Sequence, residues 1–501
     1  VFRREQDVRA HVAWLAAAAT CVLAISLIML PPVIGVADNG DFSRLMRLAG
    51  FQYLDPDESY DDRYFAYAHQ YFGYKSNWGS SYVTTQVVLL SVVGWLARLF
   101  DGEVFDIRWL GAVYTGMLAT AIYLFIRNAD AVAGNRAATA IYGVFAAGML
   151  LFVFGDIGYL AYFHSFYGEP YALLGMLLSV AAIMAMTQAD KPSGWQLALL
   201  VSAAVAVATS KIQHAPFGFA FGLIVWRMAG LRDDKRWRRM THVGLGILLG
   251  SSVLMLVFAP GGLKQINLYQ SVFYGILKDS PDARRDMMEL GIPERYLPLA
   301  GTNYFQKDVA IPQDDPVLRR EVLQKLSHKD VALYYLRHPE RLWQKLNKAA
   351  ENGVSVRPSY LGNYDASAGK PRGALSDTFD TYSDWKSHHM PHSLSWFAGC
   401  WLAYLAVLGL LWRNAVSRRV RARLETMAII SLCGLFALVV PILGDGEADL
   451  GKHLFMFNVC FDMMLISAAL FLLHLAVNGM ARRMVSNRKE QNGCQSERSL
   501  R

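Results

Sequence analysis

The sequence predicts an all-α integral membrane protein of about ten transmembrane helices, and two observations carry that reading. Of its 501 residues, 54% are hydrophobic and only 18% are charged, whereas a soluble chain carries nearer a quarter charged residues. The apolar residues also gather into runs close to the roughly 17–25 residues a bilayer span needs. These runs lie at 12–34, 82–100, 109–126, 137–154, 170–187, 195–209, 215–230, 243–259, 393–412, 425–443 and 454–477. The net charge of +8 does not point to nucleic acid, because the basic residues sit beside the apolar runs, as topology signals do. The partner this composition implies is the lipid bilayer.

Arg3, Arg4 and Arg9 precede the first run, and Arg127 and Arg136 flank a short connector. Arg232, Lys235, Arg236, Arg238 and Arg239 form one dense patch; Arg413, Arg418, Arg419, Arg421 and Arg423 form another. Arg482, Arg483, Arg488 and Lys489 begin the tail. If every run crossed, these patches could not share one side; dropping 82–100 puts them all on the cytoplasmic side, with both termini. "SSYVTTQVVLLSVVGWLARLF" is therefore expected as an interfacial or re-entrant helix, with Trp95 and Arg98 near the headgroups. The competing assignment lets 82–100 span and leaves out 195–209. Residues 12–36 are too long for a signal-peptide core and are read as a retained first span. Cys21, Cys400, Cys433 and Cys460 fall in apolar runs and Cys494 in the tail, so no structural disulfide is expected.

The expected organisation is a transmembrane module at 1–259 with a first outer loop at 36–108, and an extracytoplasmic, mostly helical region at 260–392. C-terminal transmembrane helices at 393–480 and a basic cytoplasmic tail at 481–501 follow. In the outer region, Ser327 and Asp330 have capping-box spacing, Pro339 can open a second helix and Gly353 can end it.

Polar stretches gather at the outer ends of the spans: "ADNGDFSR" (37–44), "GDIGYLAYFHSFYGEP" (155–170), "TSKIQHAP" (209–216), "NGVSVRPSYLGNYD" (352–365) and "LGDGEADLGKHLFMFN" (443–458). Together they suit the wall of one cavity. Asp38 and Asp41 can share one face of a helical turn, with Asn39-Gly40 favouring a tight turn between them. Either could simply cap "FSRLMRLAGF". A carboxylate at a desolvated membrane mouth is expected to have its pKa raised toward neutrality, which suits a general base. His164 and Glu169 flank aromatics that a membrane interface attracts anyway. Lys211 and His214 oppose the positive-inside trend, and phosphate or carboxylate pairing is the obvious use. Lys452 and His453 open the last span just after Asp445, Glu447 and Asp449, and also read as a plain ion-pair cluster. Arg357 suits a bidentate phosphate clamp or a surface salt bridge. The histidines of "HHMPH" (388–392) match a metal site only loosely. Since no phosphate-binding Gly-rich loop, nucleotide fingerprint or Ser-centred elbow occurs, cationic side chains must hold any phosphate.

An acidic first outer loop, an interfacial helix after it and a soluble portion on the same face resemble the GT-C class of membrane glycosyltransferases. The Arg-led span and basic turn of "FDIRWLGAVYTGMLATAIYLFIRNADAVAGNRAA" (105–138) look like that class too. More narrowly, "ADNGDFSRLM", "YFHSFYGEP", "RPSYLGNYD" with "FDTYSDWKSHHMP", and "EADLGKHLFMFN" look like the bacterial glycan-biosynthesis hexose transferases of the WsfD-like group. The resemblance implies an inner-membrane enzyme that transfers a hexose from a polyprenyl phosphate sugar donor to a glycan or lipid-linked acceptor, with inversion. It puts the catalytic base at Asp41, with Asp38 as runner-up. Phosphate binding would fall to a subset of Lys211, His214, Arg357, Lys452 and His453. Asn39, Arg44, His164, Glu169, Tyr360 and Asp449 complete the candidate substrate-binding set. Some members of the class use a divalent metal, Mg or Mn, and others do not. A transporter or flippase for a lipid-linked glycan is the alternative; it predicts inverted repeats and midplane helix breaks, whereas the sequence shows no repeat and its unusual polar residues sit at one face rather than mid-membrane. A scaffold protein would leave Asp41 dispensable.

Overall fold

The computed structural model describes the backbone of residues 2–75, 84–130 and 135–499, and the side chains of 7–480 within that range. The side chains of Arg3, Arg4, Arg482, Arg483, Arg488, Lys489 and Cys494, and residues 82 and 83 of the expected interfacial helix, lie outside the described residues.

Helix α1 (Phe2–Ala24) leads into a loop holding α2 (Phe42–Leu48), strands β1 (Phe51–Tyr53) and β2 (Tyr71–Tyr74), α3 (Thr85–Arg98) and strand β3 (Val104–Asp106). There follow α4 (Arg108–Arg127), α5 (Arg136–Phe154), α6 (Glu169–Gln188), α7 (Gly194–Ser210), α8 (Phe217–Met228) and α9 (Lys235–Val257). A second long insertion carries α10 (Gly261–Ser271), α11 (His328–Arg337), α12 (Pro339–Asn352) and α13 (Thr381–His389). Helices α14 (Leu394–Asn414), α15 (Arg418–Asp445), α16 (Leu450–His453) and α17 (Phe455–Ser499) complete the chain.

Among the described residues, 8 helices are long and apolar enough to cross a membrane: α1, α4, α5, α6, α9, α14, α15 and the first part of α17. The other two expected crossings are the shorter α7, of 17 residues, and α8, of 12. Helix α7 packs between α6 and α9, and α8 packs on α9 and α15. Helix α6 is the central span, touching α4, α7, α15 and α17. It is apolar on every side, as a helix without a lipid face must be, and 89% of its span is buried against 22% for α14. Gly175 lets α7 come close, since a Cβ there would lie 2.8 Å from the Ala203 carbonyl oxygen.

The connectors sort to two ends of this bundle. At one end Arg9 donates to the Ala129 carbonyl, Arg423 pairs with Asp130 and Arg419 bonds the Asp190 carbonyl. At the other, both long insertions and the turns after α5, α7 and α15 meet. Helix α3 belongs wholly to this second end. Gln86 at its start donates to the Phe166 and Tyr167 carbonyls, and Arg98 at its finish stacks 5.2 Å over Tyr74. Its 14 residues span about 21 Å, less than the hydrocarbon core. Val88, Val92, Trp95, Leu96 and Leu99 form one exposed apolar stripe, as expected of a helix lying in an interface.

The sequence did not reveal the three-stranded antiparallel sheet β1-β2-β3 in the first loop. Its strands run only three or four residues, too few for alternation to register against the surrounding aromatics. Phe51, Phe72 and Phe105 are buried on it and stack around Phe166. The second insertion is tied to the first by a strand-like exchange: Gly35 donates to the Asn363 carbonyl, Ala37 to Asn363 Oδ1 and Ala68 to the Tyr364 carbonyl. Its α11 opens with the expected Ser327/Asp330 capping box, and α12 starts at Pro339 and stops at Gly353.

Candidate functional site

The Asn39-Gly40 turn divides the two aspartates. Gly40 takes φ +97°, a left-handed conformation that glycine adopts without cost. Asp38 folds back to accept from the Gly40 amide at 2.6 Å and from the Tyr53 hydroxyl at 2.7 Å, and is fully buried. Asp41 faces the other way, into a cavity of about 770 Å³ enclosed by both long insertions. Neither side chain caps α2.

Asp41 ion-pairs with Lys452, whose ammonium also lies 3.3 Å from Asp449, and Arg44 stands 3.7 Å from Asp41. Lys452 is buried on the short α16, with its charge 5.0 Å from the Tyr167 ring centroid. Asn39 donates to Asp449 at 2.9 Å and accepts from the Tyr167 hydroxyl at 2.8 Å, and Tyr360 donates to Asp449 from across the cavity. Asp449 holds this place through a left-handed backbone, φ 46°, which Asp tolerates better than most residues.

The electrostatics reverse one expectation. Burial alone would raise the Asp41 carboxyl, but the Lys452, Lys211 and Arg44 charges outweigh it and hold Asp41 well below the usual carboxylate range. Burial instead raises Asp38, only partly offset by Tyr53 and the Gly40 amide. For Lys452 the burial penalty is exceeded by the attraction of Asp41 and Asp449, so its ammonium is held above the ordinary lysine value.

Of the residues singled out in the sequence, Asn39, Asp41, Arg44, Lys211, Tyr360, Asp449 and His453 line this cavity. Lys211 leans on the buried Glu169, whose second oxygen finds no partner among the described residues. His453 pairs with Asp445 at 3.0 Å through Nε2 and meets Gln213 through Nδ1. Asp38, Glu169 and Lys452 lie one layer behind the wall. His164, His214 and Arg357 are turned elsewhere. The His164 ring bonds the Ile34 carbonyl at 2.8 Å against Gly111, and burial lowers its pKa to about 4. His214 bonds Ser210 and stacks on Phe217, and burial drives its pKa well down. Arg357 passes under Gly362 to the Ser376 carbonyl.

Sequence reasoning missed Asn267 and Gln270 as wall residues, and it did not single out Gln213 or Asp445 as substrate contacts within the stretches it assigned to the wall. Leu263, Ile266, Asn267 and Gln270 recur at i, i+3, i+4 and i+7, the face of one helix, and this was the available signal on α10. Gln270 is 4% exposed and its Oε1 lacks a partner among the described residues.

Among the described residues, no group of three or more His, Cys, Asp or Glu side chains is placed to hold a metal ion. The carboxylates of Asp41 and Asp449 converge on an ammonium instead, so this donor set does not fit Mg or Mn. His388, His389 and His392 each bond a nearby backbone carbonyl of their own segment.

Fold and site together define a polytopic α-helical membrane protein whose two long insertions close a charged cavity over one end of the bundle. The chain belongs to the family described as the YfdI N-terminal transmembrane domain, whose model matches residues 3–495. No curated protein and no solved structure matches it.

Proposed function

We propose that this protein is an inverting hexosyltransferase of the GT-C kind, using a polyprenyl phosphate-linked sugar and a glycan or lipid-linked acceptor. The narrower likeness to the WsfD-like group of cell-envelope transferases belongs to the same proposal. So does the orientation, with the cavity on the extracytoplasmic face of the inner membrane and both termini in the cytoplasm. One observation carries it: the Asp41 carboxyl group shares one cavity with Arg44 and Lys211. The resemblance to the class and the family membership support it.

In this reading the acceptor hydroxyl gives its proton to an Asp41 oxygen as its own oxygen attacks the anomeric carbon. The bond from that carbon to the phosphate oxygen breaks with inversion, and the electron pair leaves on polyprenyl phosphate. Lys211 and Arg44 hold the growing negative charge. Lys452 keeps Asp41 deprotonated at every physiological pH. The low proton affinity this entails is offset only if proton transfer accompanies bond formation. A phosphate leaving group needs little protonation, so no second carboxylic acid is required.

The test is transfer by purified protein from a panel of polyprenyl phosphate hexoses, wild type against Asp41→Asn. Loss of transfer by about 100-fold or more is expected for a general base. Full transfer by the variant would remove Asp41 from that role. Failure with every donor, together with lipid-glycan translocation in vesicles, would replace the enzyme by a flippase.

A further inference from the structure

A second cavity, of about 1200 Å³, opens at the opposite end of the bundle, and no step of sugar transfer uses it. It lies where α4 and α6 end, and α4 itself is about 30 Å long. Its polar rim carries Arg9 from α1, Arg127 from α4 and Arg423 from α15. Leu411, Leu424 and Phe471 add apolar lining to the same cavity. Two acids are also present. Asp130 is taken by Arg423 at 2.8 Å and by Gln188 at 2.7 Å, and Asp190 faces Arg419 at 3.6 Å. Among the described residues, Arg423 spends Nε on Thr187 and Nη1 on Asp130, which leaves Nη2 for a ligand.

We propose that this cavity binds the phosphate of an anionic phospholipid, with its acyl chain along the Leu411, Leu424 and Phe471 wall. Arginines converging from separate helices suit a phosphate, since the guanidinium fork matches its oxygens. Basic pockets between membrane helices at one leaflet are suited to such headgroups. Apolar lining in the same cavity as the arginines distinguishes a lipid from a small anion, which has nothing to place there. The site ties α1, α4, α6 and α15 together at the end where only short connectors join them.

The experiment is native mass spectrometry of the full chain released from nanodiscs of equal parts phosphatidylglycerol and phosphatidylcholine, with inorganic phosphate as the competing probe. Wild type is expected to retain phosphatidylglycerol selectively. The double variant Arg127→Gln/Arg423→Gln is expected to lose that retention by about tenfold. Because Arg423 also bonds Thr187 and Asp130, Leu424→Trp provides a second arm that fills the apolar wall and keeps every charge; it too should lose the lipid. Equal retention of the two lipids by wild type, or undiminished phosphatidylglycerol on the Trp variant, would overturn the site. Displacement of the lipid by millimolar phosphate would assign the rim to a free anion and overturn the lipid reading.

Discussion

The Lys452 ammonium reaches Asp41 across 411 residues of sequence, and the pair joins the first loop to the start of the last span. Lys452 is buried while Asp41 keeps 40% side-chain exposure, so the two ends differ in what their loss costs. Lys452→Met leaves Asp41 and Asp449 without their shared counter-charge. Breaking a fully buried pair costs about 3–5 kcal/mol, and solvent on the cavity side reduces this to about 2 kcal/mol. The expected outcome is a protein that folds with a lowered melting temperature in detergent and little transfer activity. Wild-type stability in this variant would mean that the pair holds nothing together.

The same pair predicts a pH profile. The folded pKa of Asp41 is depressed, so its contribution is complete above the unfolded value near 3.9 and fades as pH falls through the folded one. The folded pKa of Lys452 is raised, so its contribution is complete below about 10.4 and fades as pH rises past that. Between about pH 5 and 9 neither group titrates. Without Lys452, burial raises Asp41, so the stability lost in Lys452→Met should be largest at high pH and shrink as pH falls and the stranded carboxyl protonates, while the wild type stays level in thermal melts. A difference that stays constant from about pH 9 to 5 would show that Lys452 is not what keeps Asp41 ionised.

Asp38 behaves oppositely. Its folded pKa is raised, so above about 3.9 the buried charge costs stability rather than contributing it. Asp38→Asn removes that charge and keeps an acceptor for the Gly40 amide, while the Tyr53 hydroxyl can turn to accept. Its melting temperature should match or exceed the wild-type value, with KM and kcat showing whether the turn still presents Asp41. A large loss of stability would mean that the charge itself holds the loop.

Much of this architecture was legible because bilayer physics writes it into composition. Span positions followed from run length, and the clustering of Arg9, Arg127 and Arg423 at one end from the placement of basic residues. Ser327 and Asp330 announced their helix by spacing alone. Other features depend on geometry that one-dimensional patterns do not carry. Helix α8 has 12 residues because 3-10 turns at Ile212–His214 and Ala229–Leu231 flank its two ends. A cation that breaks the positive-inside trend reports which end of a span it occupies, not where its side chain points. Lys211 and His214 share that signal, yet one lines the cavity and the other stacks on Phe217. The direction of the Asp41 shift was hidden for the same reason, since its partner arrives from the far end of the sequence.

His164 and Gly111 form a second long-range contact that can be measured. The ring is held by the Ile34 carbonyl and packs on the α4 backbone, where a Cβ at position 111 would overlap Nε2. Gly35 also packs closely on the His164 backbone oxygen and Cβ from the first loop, which limits how far the residue can shift. Gly111→Ala should therefore cost about 1–3 kcal/mol by overpacking. In Gly111→Ala/His164→Ala the clash is gone, so the two effects should fall short of additive. Strict additivity in thermal melts would show that the residues do not touch.

The Lys386–Asp462 pair offers the sharpest test of how the second insertion is fastened. Both side chains are 0% exposed, and Asp462 also accepts from the Tyr159 hydroxyl at 2.6 Å. Lys386 comes from α13 in the insertion and Asp462 from the last span, so the pair pins one to the other. Replacing Asp462 alone, as Asp462→Leu, strands a buried ammonium and should cost about 3–5 kcal/mol. Adding Lys386→Met removes the stranded charge but leaves the Tyr159 hydroxyl without its acceptor, an orphan worth about 1–3 kcal/mol. Adding Tyr159→Phe removes that too. The triple variant should then melt at or above the wild-type temperature, because packed apolar groups replace desolvated ions at no net cost. If the triple variant stays as unstable as Asp462→Leu, the charges themselves, and not the packing, hold the insertion on the bundle.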